Sequence, residues 1–437
     1  MKLRPNPALL AELGETWSRI VKPPEKLTVS EWADRYRHLS AKESAEAGRW
    51  RTARAPYLRE IMNACGDPTV DEIVIRKCAQ AGCSEAIRNA IGYWATQDPG
   101  PVMYVLPDEK AAREVTEERL IPMIRNSLPG EILPGARTLR KHVLRLRALE
   151  VYMAWSGSAQ ALASRPVRFV VMDEVDKYVS FSGRDSSPIQ LARARARTFA
   201  HRRKVVLIST PTLAEAPISV EFELCADKRD FRVPCAECGA ELALEWGAVR
   251  WPQRPEKTPR AQFAEKIGAE DLARLHCKHC EAELTEADRQ SMILAGRWVS
   301  TLEEGQSSRR VGFQLNALAN PWASLSQLVS KWLKAQEDVG ALQEFVNQEL
   351  GEPFVQTIKR VKEGAFRDKA LRHRRNRRGV VPRWAGMLLA TVDSQRDGFW
   401  FMVRAWGQNY RSQLIEWGFL KSFDQIRDRL LDAYWPV

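Results

Sequence analysis

The sequence predicts an α/β protein whose central feature is a parallel sheet with helices on both faces. Several strand-like segments are apolar along their whole length, and helical segments separate them in the chain. Strands that are buried on both faces read as continuous apolar runs, whereas half-exposed strands alternate. The chain has 437 residues, 44% of them hydrophobic, which is enough for two or three packed domains and argues against a single small one.

The elements follow one another in a regular order. After a Pro-punctuated start, LTVSEWADRYRHL predicts a short amphipathic helix with Thr28 or Ser30 as its N-cap. From residue 72 to about 225 strands and helices alternate. The predicted strands are EIVIRK, PVMYVLP, RFVVMDE and KVVLIST, and the predicted helices are SEAIRNAIGYWA and DEKAAREVTEERLIPMIRNSL. Residues 231–300 predict an inserted small module, and 311–354 return to aromatic and helical patterning.

The charge balance indicates the kind of partner. Lys and Arg outnumber Asp and Glu by 67 to 55, and the formal charge of +12 favours a polyanion such as nucleic acid. A ribosome or a membrane surface would select the same balance. Because the sequence has neither an apolar run of about 18 residues nor a signal peptide, we expect a soluble intracellular protein without membrane contact. A basic tract at 356–383 fits a phosphate-contacting arm or a merely solvated linker.

The segment KCAQAGCSE, between the strand EIVIRK and a helix, has the features of a deviant phosphate-binding loop. In the usual pattern, G-x-x-x-x-G-K-[ST], backbone amides cradle the phosphates, the lysine neutralises them and the hydroxyl binds Mg²⁺. Gly82 and Ser84 hold the second glycine and hydroxyl positions, but Cys83 stands where the lysine belongs, and Lys77 opens the loop. An amine at that end still reaches the phosphates. Taken alone, the pattern is also consistent with chance.

Two further strands end in polar residues of the same kind of chemistry. RFVVMDEVDKY places Asp173 and Glu174 at a strand end, where one carboxylate can hold Mg²⁺ and the other can activate water. The same pair would also fit a strand-to-helix N-cap. KVVLIST ends in Ser209, Thr210 and Pro211, where helicase-like motors carry a coupling triplet. The ordered set of three strand ends predicts a P-loop (RecA/helicase-like) ATPase domain that binds ATP with Mg²⁺.

Two CxxC pairs predict a structural Zn²⁺ site of the zinc-ribbon type. Four thiolates suit tetrahedral zinc, and they leave no open position for a reactive water. His276 or His279 could instead replace one cysteine. The composition does not decide whether the module packs on the rest of the protein or touches DNA. The predicted ligands are Cys235, Cys238, Cys277 and Cys280, and the predicted buried or loop thiols are Cys65, Cys78, Cys83 and Cys225.

The last segment, WAGMLLATVDSQRDGFWFMVRAWG, predicts two strands joined by a turn around Asp397 and Gly398. Asp393 in the first strand resembles the opening of a ribonuclease-H-like nuclease. Such a site holds two ions, Mg²⁺ or Mn²⁺, about 4 Å apart with three or four carboxylates. Glu416 on a probable third strand and Asp424 beyond it are the other acids nearby, but only Asp393 fits the requirement. We therefore expect the nuclease site to be incomplete in this chain and unable to cleave DNA.

Together these segments resemble the lambda-type (GpA) family of phage terminase large subunits. The matching pieces are LTVSEWADRYRHLSAKESAEAGRW, IRKCAQAGCSE, SRPVRFVVMDEVDKY, the STPT segment, the cysteine pairs and FVNQELGEPF. The resemblance implies an ATPase that drives viral double-stranded DNA into a procapsid and cuts concatemers. It also implies a small terminase subunit, the portal and further copies of this chain as partners. The expected location is the cytoplasm of the bacterial host, and transiently the portal vertex of the capsid.

The resemblance also assigns roles and domains. It makes Lys77 and Ser84 the phosphate and magnesium contacts, Asp173 the metal carboxylate, Glu174 the catalytic base, and residues 209–211 the coupling motif. Two alternatives to this function stay open, a helicase-like DNA translocase and a non-catalytic zinc-ribbon DNA-binding protein. The predicted domains are a helical segment at 1–40 that could dock the small subunit, an ATPase domain at 41–355 with a zinc-ribbon insertion at 231–300, a basic linker at 356–383, and a partial nuclease domain at 384–437.

The chain departs from the family pattern at one position, and two roles stay open. Some members carry a second lysine where this chain has Glu85. The family's early aromatic adenine contact would lie near Trp50 or Tyr57, which we interpret as core residues. Motors of this kind supply an arginine to the terminal phosphate, and the sequence does not choose between Arg76 and Arg165.

Overall fold

The computed structural model describes residues 25–355 and 378–437, apart from 42, 43, 45, 135–138, 141 and 180–186. The chain forms two compact units, Met1–Val355 and Gln356–Val437. Most of the predicted N-terminal segment and of the predicted basic linker lies outside the described residues.

The first unit contains 16 strands and 12 α-helices among its described residues. The strands are β1 (His38–Leu39), β2 (Gly48–Arg49), β3 (Glu72–Lys77), β4 (Val102–Leu106), β5 (Leu139–Arg140), β6 (Val143–Arg145), β7 (Glu150–Trp155), β8 (Phe169–Asp173), β9 (Lys204–Ser209), β10 (Asp227–Pro234), β11 (Glu241–Ala243), β12 (Val249–Arg250), β13 (Arg274–His276), β14 (Glu283–Leu284), β15 (Arg297–Val299) and β16 (Arg310–Leu315). The helices are α1 (Val29–Tyr36), α2 (Leu58–Ala64), α3 (Cys83–Thr96), α4 (Glu109–Val115), α5 (Ile121–Ser127), α6 (Ala159–Ala163), α7 (Pro188–Arg195), α8 (Pro217–Glu223), α9 (Arg260–Ala269), α10 (Glu286–Leu294), α11 (Leu325–Ala335) and α12 (Val339–Phe345).

The large sheet of this unit has the strand order β11-β10-β16-β3-β9-β8-β4-β7-β6-β5, and β15 also pairs with β10. Every neighbouring pair from β10 to β7 is parallel, whereas the pairs at both margins are antiparallel. The four predicted strands are all present, as β3, β4, β8 and β9. The carboxyl ends of the parallel strands therefore meet along one edge of the sheet.

Successive residues of the central strands enter two separate apolar clusters. Ile73 and Ile75 belong to the cluster on one face of the sheet, and Val74 between them belongs to the cluster on the other. All three side chains are fully buried. Neighbouring strand residues point to opposite faces, so helices must cover both sides. The predicted doubly covered parallel sheet is confirmed.

The first helix docks on the helix that follows β3. Thr28 is its N-cap, and Thr28 and Glu31 form a reciprocal capping box, which confirms one of the two predicted caps. Trp32 of α1 is fully buried against Gly92 of α3. A Cβ atom at Gly92 would lie 2.1 Å from the indole ring, so only glycine allows this close approach.

Two predictions about the order of elements need correction. The borders of the predicted insertion at 231–300 are strands of the main sheet, because β10, β11 and β15 pair within it. Only β12, β13 and β14 form a separate small sheet. The segment 311–354, interpreted as helical, begins with β16, which pairs with β3 on one side and β10 on the other. Gly312 and Gln314 interrupt its apolar residues, so it lacks the continuous apolar run of the predicted strands.

The second unit contains β17 (Met387–Gln395), β18 (Gly398–Trp406), β19 (Ser412–Leu420) and the short helix α13 (Phe423–Ile426). The strands form one antiparallel sheet in that order, which confirms the predicted strand pair and the probable third strand. Phe401, Val403 and Ala405 of β18 are buried with Ile415 of β19. None of the described helices in either unit combines the length and apolarity that crossing a membrane requires.

Candidate nucleotide and metal sites

Three adjacent strands bring their predicted functional residues to the same edge of the sheet. β3 ends at Lys77, β9 beside it ends at Ser209, and β8 beside β9 ends at Asp173. These positions lie 36 to 132 residues apart in sequence but on neighbouring strands. The carboxyl edge of a parallel sheet is where such folds bind ligands.

Lys77 extends from β3 into the space between the other two strand ends. Its amine lies 3.4 Å from Oε1 of Glu174 and donates a hydrogen bond of 3.2 Å to Oγ1 of Thr210. Only 7% of the residue is exposed. Burial is the largest single influence and disfavours the ammonium form, but the neighbouring acidic groups, Glu174 first among them, together raise the pKa of Lys77. The residue at the unusual end of the loop thus stays positively charged within the site.

Asp173 and Ser84 are placed as two ligands of one small cation would be. The Ser84 hydroxyl donates to Oδ1 of Asp173 over 3.1 Å, and the Tyr104 hydroxyl donates to Oδ2 over 2.9 Å. Neighbouring ligands of an octahedral Mg²⁺ with bonds near 2.1 Å are separated by about 3.0 Å. The donor set therefore fits magnesium, and Tyr104 fixes the orientation of the carboxylate.

Glu174 has a left-handed backbone conformation, with φ 58° and ψ 48°. A non-glycine residue in this region costs about 1–3 kcal/mol and is concentrated at functional sites. Its carboxylate also lies 3.1 Å from the amine of Lys177. Burial opposes its ionisation, but Lys77 and Lys177 outweigh it and lower the pKa of Glu174. The carboxylate is therefore ionised and directed toward Lys77.

The loop itself has the local geometry that an anion cradle requires. Gln80 and Gly82 both have positive φ, 53° and 76°, and α3 begins immediately after Gly82. The chain thus turns so that the amino end of α3 faces the sheet edge. Cys83 is 1% exposed, and burial raises the pKa of its thiol to about 12. Its side chain belongs to the core, so Cys83 has only its backbone to offer a phosphate.

Two contacts around this site were not anticipated from the sequence. Asp176 accepts hydrogen bonds from the Thr212 amide (2.8 Å), the Thr212 hydroxyl (2.9 Å) and the Ile218 amide (2.7 Å). It therefore joins the acid segment, residues 173–176, to the predicted coupling segment, residues 209–212. The Ala79 amide donates to the carbonyl of Gln348 over 2.7 Å. No local pattern in the sequence indicates the partners of Asp176 or of Ala79.

The sequence LGEP, residues 350–353, is part of the resemblance to the family and has a structural explanation. Gly351 has φ +62°, and a Cβ atom there would lie 2.5 Å from the Leu315 carbonyl oxygen and 2.8 Å from the Cys78 amide. Three residues later, Phe354 donates from its amide to the Thr212 carbonyl over 2.9 Å. One short segment therefore contacts both the phosphate loop and the coupling segment.

The two arginine candidates are engaged elsewhere in this chain. Arg76 packs over the ring of Phe222 at 4.0 Å and lies 3.5 Å from Glu223, and as the strand neighbour of Lys77 it belongs to the other side of β3. Arg165 packs over Tyr152 at 4.5 Å.

The two early aromatic residues are buried, as interpreted from the sequence. Trp50 is 9% exposed and Tyr57 is fully buried. The Tyr57 hydroxyl donates to the Ala81 carbonyl over 3.1 Å, so this residue supports the phosphate loop from within the core.

The four paired cysteines converge on one point. All four sulfur atoms lie within 4.8 Å of one another, and two of the distances, Cys235 to Cys280 and Cys238 to Cys277, are 3.9 Å. A tetrahedral Zn²⁺ with bonds near 2.3 Å separates its sulfur ligands by about 3.8 Å. Neither nearby histidine belongs to the cluster. The four predicted thiols outside it, Cys65, Cys78, Cys83 and Cys225, are all buried.

The small module packs against α11 of the same unit. The indole of Trp332 lies 6.0 Å from that of Trp246 and 5.4 Å from that of Trp251, and the Ser326 hydroxyl accepts from the Ala273 amide over 2.9 Å. The cysteine knuckles lie at the β10–β11 and β13–β14 turns. The module therefore packs on the rest of the first unit, which is one of the two roles that its composition left open.

The acids of the second unit do not converge. Asp393 is exposed and pairs in register with Trp400, whereas Glu416 pairs with Val403. Positions 400 and 403 lie on opposite faces of β18, so Asp393 and Glu416 do too. Asp424 is exposed on α13. Among the described residues, no group of three metal-binding side chains includes Asp393.

Glu85 pairs with two buried arginines near the start of α3. Its carboxylate lies 2.5 Å from Arg88 and 3.1 Å from Arg37, two guanidinium groups that are almost completely buried. Burial opposes ionisation of Glu85, but the two arginines outweigh it and lower its pKa. A lysine at this position, as in some family members, would face two cations.

A parallel sheet that is covered by helices on both faces and brings polar residues together at adjacent strand ends defines an ATPase-like α/β fold. Within that class, residues 44–298, more than half of the chain, match the family model of the phage terminase large subunit gpA ATPase domain. Residues 310–432 match the terminase large subunit gpA endonuclease domain. The chain belongs to the phage terminase large subunit gpA family. The second match begins at β16, inside the sheet of the first unit.

Individual relatives agree with this assignment. The chain is 24% identical to the terminase large subunit of Enterobacteria phage P21 and 25% identical to that of Escherichia phage lambda, and each alignment covers 90% of this chain and 62% of the relative. It thus spans less than two thirds of the length of either relative. Among solved structures, the HK97 bacteriophage large terminase is 11% identical, with a TM-score of 0.42 over 92% of this chain and 69% of the other.

Substitution of Glu85 by lysine tests the buried charge network. We expect Glu85→Lys to lower the free energy of unfolding by about 3–5 kcal/mol, because it leaves two buried arginines without their shared carboxylate. Glu114→Lys on the exposed side of α4 is the matched control, with an expected change within about 0.5 kcal/mol. Urea unfolding followed by circular dichroism measures both. Equal stability of the two variants would contradict a stabilising role for the network.

Proposed function

We propose that this chain is the ATP-driven motor part of a terminase large subunit, which translocates viral double-stranded DNA. The observation that carries the proposal is the meeting of Lys77, Ser84, Asp173, Glu174 and Thr210 at one sheet edge. Together they supply four components of phosphoryl transfer: Lys77 neutralises charge, Ser84 and Asp173 bind the metal, Glu174 activates water and Thr210 senses the phosphate. The whole protein's packaging activity is part of this proposal, since the chain spans 62% of its curated relatives.

The residues divide the work as follows. Lys77 would move its charge from Glu174 to the bound phosphates, because a triphosphate competes for the same amine. Glu174, released from that ion pair, would accept a proton from the attacking water. Asp173 and Ser84 would hold Mg²⁺, which neutralises the developing charge. Thr210 accepts a hydrogen bond from the same amine. Movement of the amine toward the phosphates would therefore displace Thr210, and the coupling segment would transmit this displacement to Asp176.

Phosphate release tests this assignment. We expect Lys77→Ala and Glu174→Gln each to reduce ATP hydrolysis by at least about 100-fold, since the first removes the buried phosphate contact and the second removes the base. Lys110→Ala, an exposed lysine on α4, should hydrolyse ATP as the wild type does. A malachite-green assay follows the product. Equal release from wild type and Glu174→Gln would remove the motor function and favour a non-catalytic DNA-binding protein.

We also propose that the cysteine cluster holds one structural Zn²⁺. The sulfur spacing supports this, because it matches a tetrahedral ion and four thiolates leave no open position. The ion would link the β10–β11 turn, which extends from the main sheet, to the small sheet formed by β12, β13 and β14.

Metal analysis of matched variants tests the zinc site. We expect one zinc per chain in the wild type and none in Cys277→Ser, because three thiolates bind the ion much more weakly. Cys225→Ser, also a buried cysteine but outside the cluster, should keep its zinc. Atomic emission spectrometry gives the ratio. A Cys277→Ser protein that retains a full equivalent would refute the four-thiolate site.

The second unit is proposed to be part of the family's metal-dependent endonuclease, with Asp393 as a ligand of Mg²⁺ or Mn²⁺. Its location on a first strand that pairs with an antiparallel second one supports this. The small terminase subunit, the portal and further copies of the chain are proposed partners in the host cytoplasm and at the capsid, and double-stranded viral DNA is the proposed substrate.

We expect this chain to leave plasmid DNA uncut in Mg²⁺ or Mn²⁺. Two-metal cleavage needs three or four converging carboxylates, and among the described residues Asp393 has no such companions. Agarose gels of supercoiled plasmid test this, with Asp393→Asn alongside. Metal-dependent cleavage by the wild type that Asp393→Asn abolishes would overturn the incompleteness and confirm Asp393 as a ligand.

A further inference from the structure

Trp322 is an exposed aromatic residue held in one orientation. It is 48% exposed and is the most exposed tryptophan of the described residues in the first unit. Its indole N–H donates to Oε1 of Glu46 over 2.9 Å, and the guanidinium of Arg54 lies 5.4 Å from its ring centre. Arg54 and Glu46 are paired with each other as well, at 2.9 Å. A large apolar side chain that is both exposed and fixed by two polar partners is not explained by core packing.

The position of Trp322 relates it directly to the phosphate loop. The Trp322 amide donates to the side-chain oxygen of Asn320 over 3.1 Å, and the Asn320 amide group donates to the Gln80 carbonyl over 3.4 Å. Asn320 is 5% exposed, whereas Gln80 lies at the exposed bend of the loop. The indole is therefore attached, through one buried side chain, to the loop that would hold the phosphates.

Strand order decides which end of a nucleotide would reach Trp322. β3, which carries the loop, lies between β16 on one side and β9 and β8 on the other. The terminal phosphate must face Glu174 and Thr210, which follow β8 and β9. The base of the same nucleotide must then extend away from them, over the side of the loop that borders β16. The segment after β16 is the one that contains Asn320 and Trp322.

We propose that Trp322, oriented by Glu46 and Arg54, is the stacking platform for the base of the bound nucleotide. This inference rests on the proposed function and adds the surface that receives the base, a role for which Trp50 and Tyr57 are too deeply buried. Stacking on an indole is tolerant of base identity, because every base has a π face. The platform therefore does not distinguish ADP from GDP.

Binding experiments separate a base contact from a change in the loop. Isothermal titration calorimetry with Mg²⁺ would compare ADP, GDP and inorganic tripolyphosphate on the wild type, Trp322→Ala and Trp322→Phe. We expect Trp322→Ala to bind ADP and GDP about tenfold more weakly and tripolyphosphate as the wild type does. Trp322→Phe, which keeps an aromatic face, should recover most of the nucleotide affinity. Trp400→Ala, an equally exposed tryptophan in the second unit, should change nothing.

The results distinguish a failure of the proposed stacking platform from a failure of the proposed nucleotide site. Unchanged ADP affinity in Trp322→Ala would overturn the stacking platform while leaving the ATPase site intact. Equal loss of ADP and tripolyphosphate would also overturn it, since the substitution would then act through the loop. A wild type that binds none of the three probes would refute the nucleotide site itself, and the stacking platform with it.

Discussion

The arrangement of the site depends on one buried amine. An ammonium group removed from water costs several kcal/mol unless it is paired, so Lys77 at the end of β3 requires partners from other strands. It finds them in Glu174 after β8 and Thr210 after β9. Three strand ends thus contribute to one buried contact, and the left-handed backbone of Glu174 places its carboxylate toward the amine.

A second constraint holds the loop against the end of the first unit. Gln348 accepts from the loop, Gly351 lies too close to Leu315 and Cys78 for any side chain, and Phe354 bonds to Thr212 of the coupling segment. Both elements that would sense the phosphates are thus in main-chain contact with one stretch of chain, and that stretch ends where the first unit ends. A change in the phosphate loop would therefore act directly on residues 348–354.

The sequence predicted the local features of the fold and site, but it did not predict the contacts between distant residues. The strands ending in Lys77, Asp173 and Ser209, and the cysteine pairs, could be predicted because each is a continuous apolar run or a short spacing with its chemistry at a defined end. β16 was missed because Gly312 and Gln314 interrupt its apolar run. The hydrogen bonds of Asp176, and the burial of Glu85 between Arg37 and Arg88, depend on residues up to 48 positions away, which no local pattern encodes. That β16 lies beside β3 also became clear only from the order of strands in the sheet. The side of the loop that faces Trp322 follows from the same order.

The displaced lysine follows from the packing of α3. At position 83 the side chain points into the core, where a thiol with its pKa raised by burial is a small neutral filler. A lysine there would need both volume and a counter-charge within that core, and the nearest acid on the helix, Glu85, is already committed to two arginines. A lysine on β3 instead lies beside Glu174 and Thr210, which already have roles in the proposed site as the base and the phosphate sensor. The same positive charge thus reaches the loop from the strand side without a second buried ion pair under the helix.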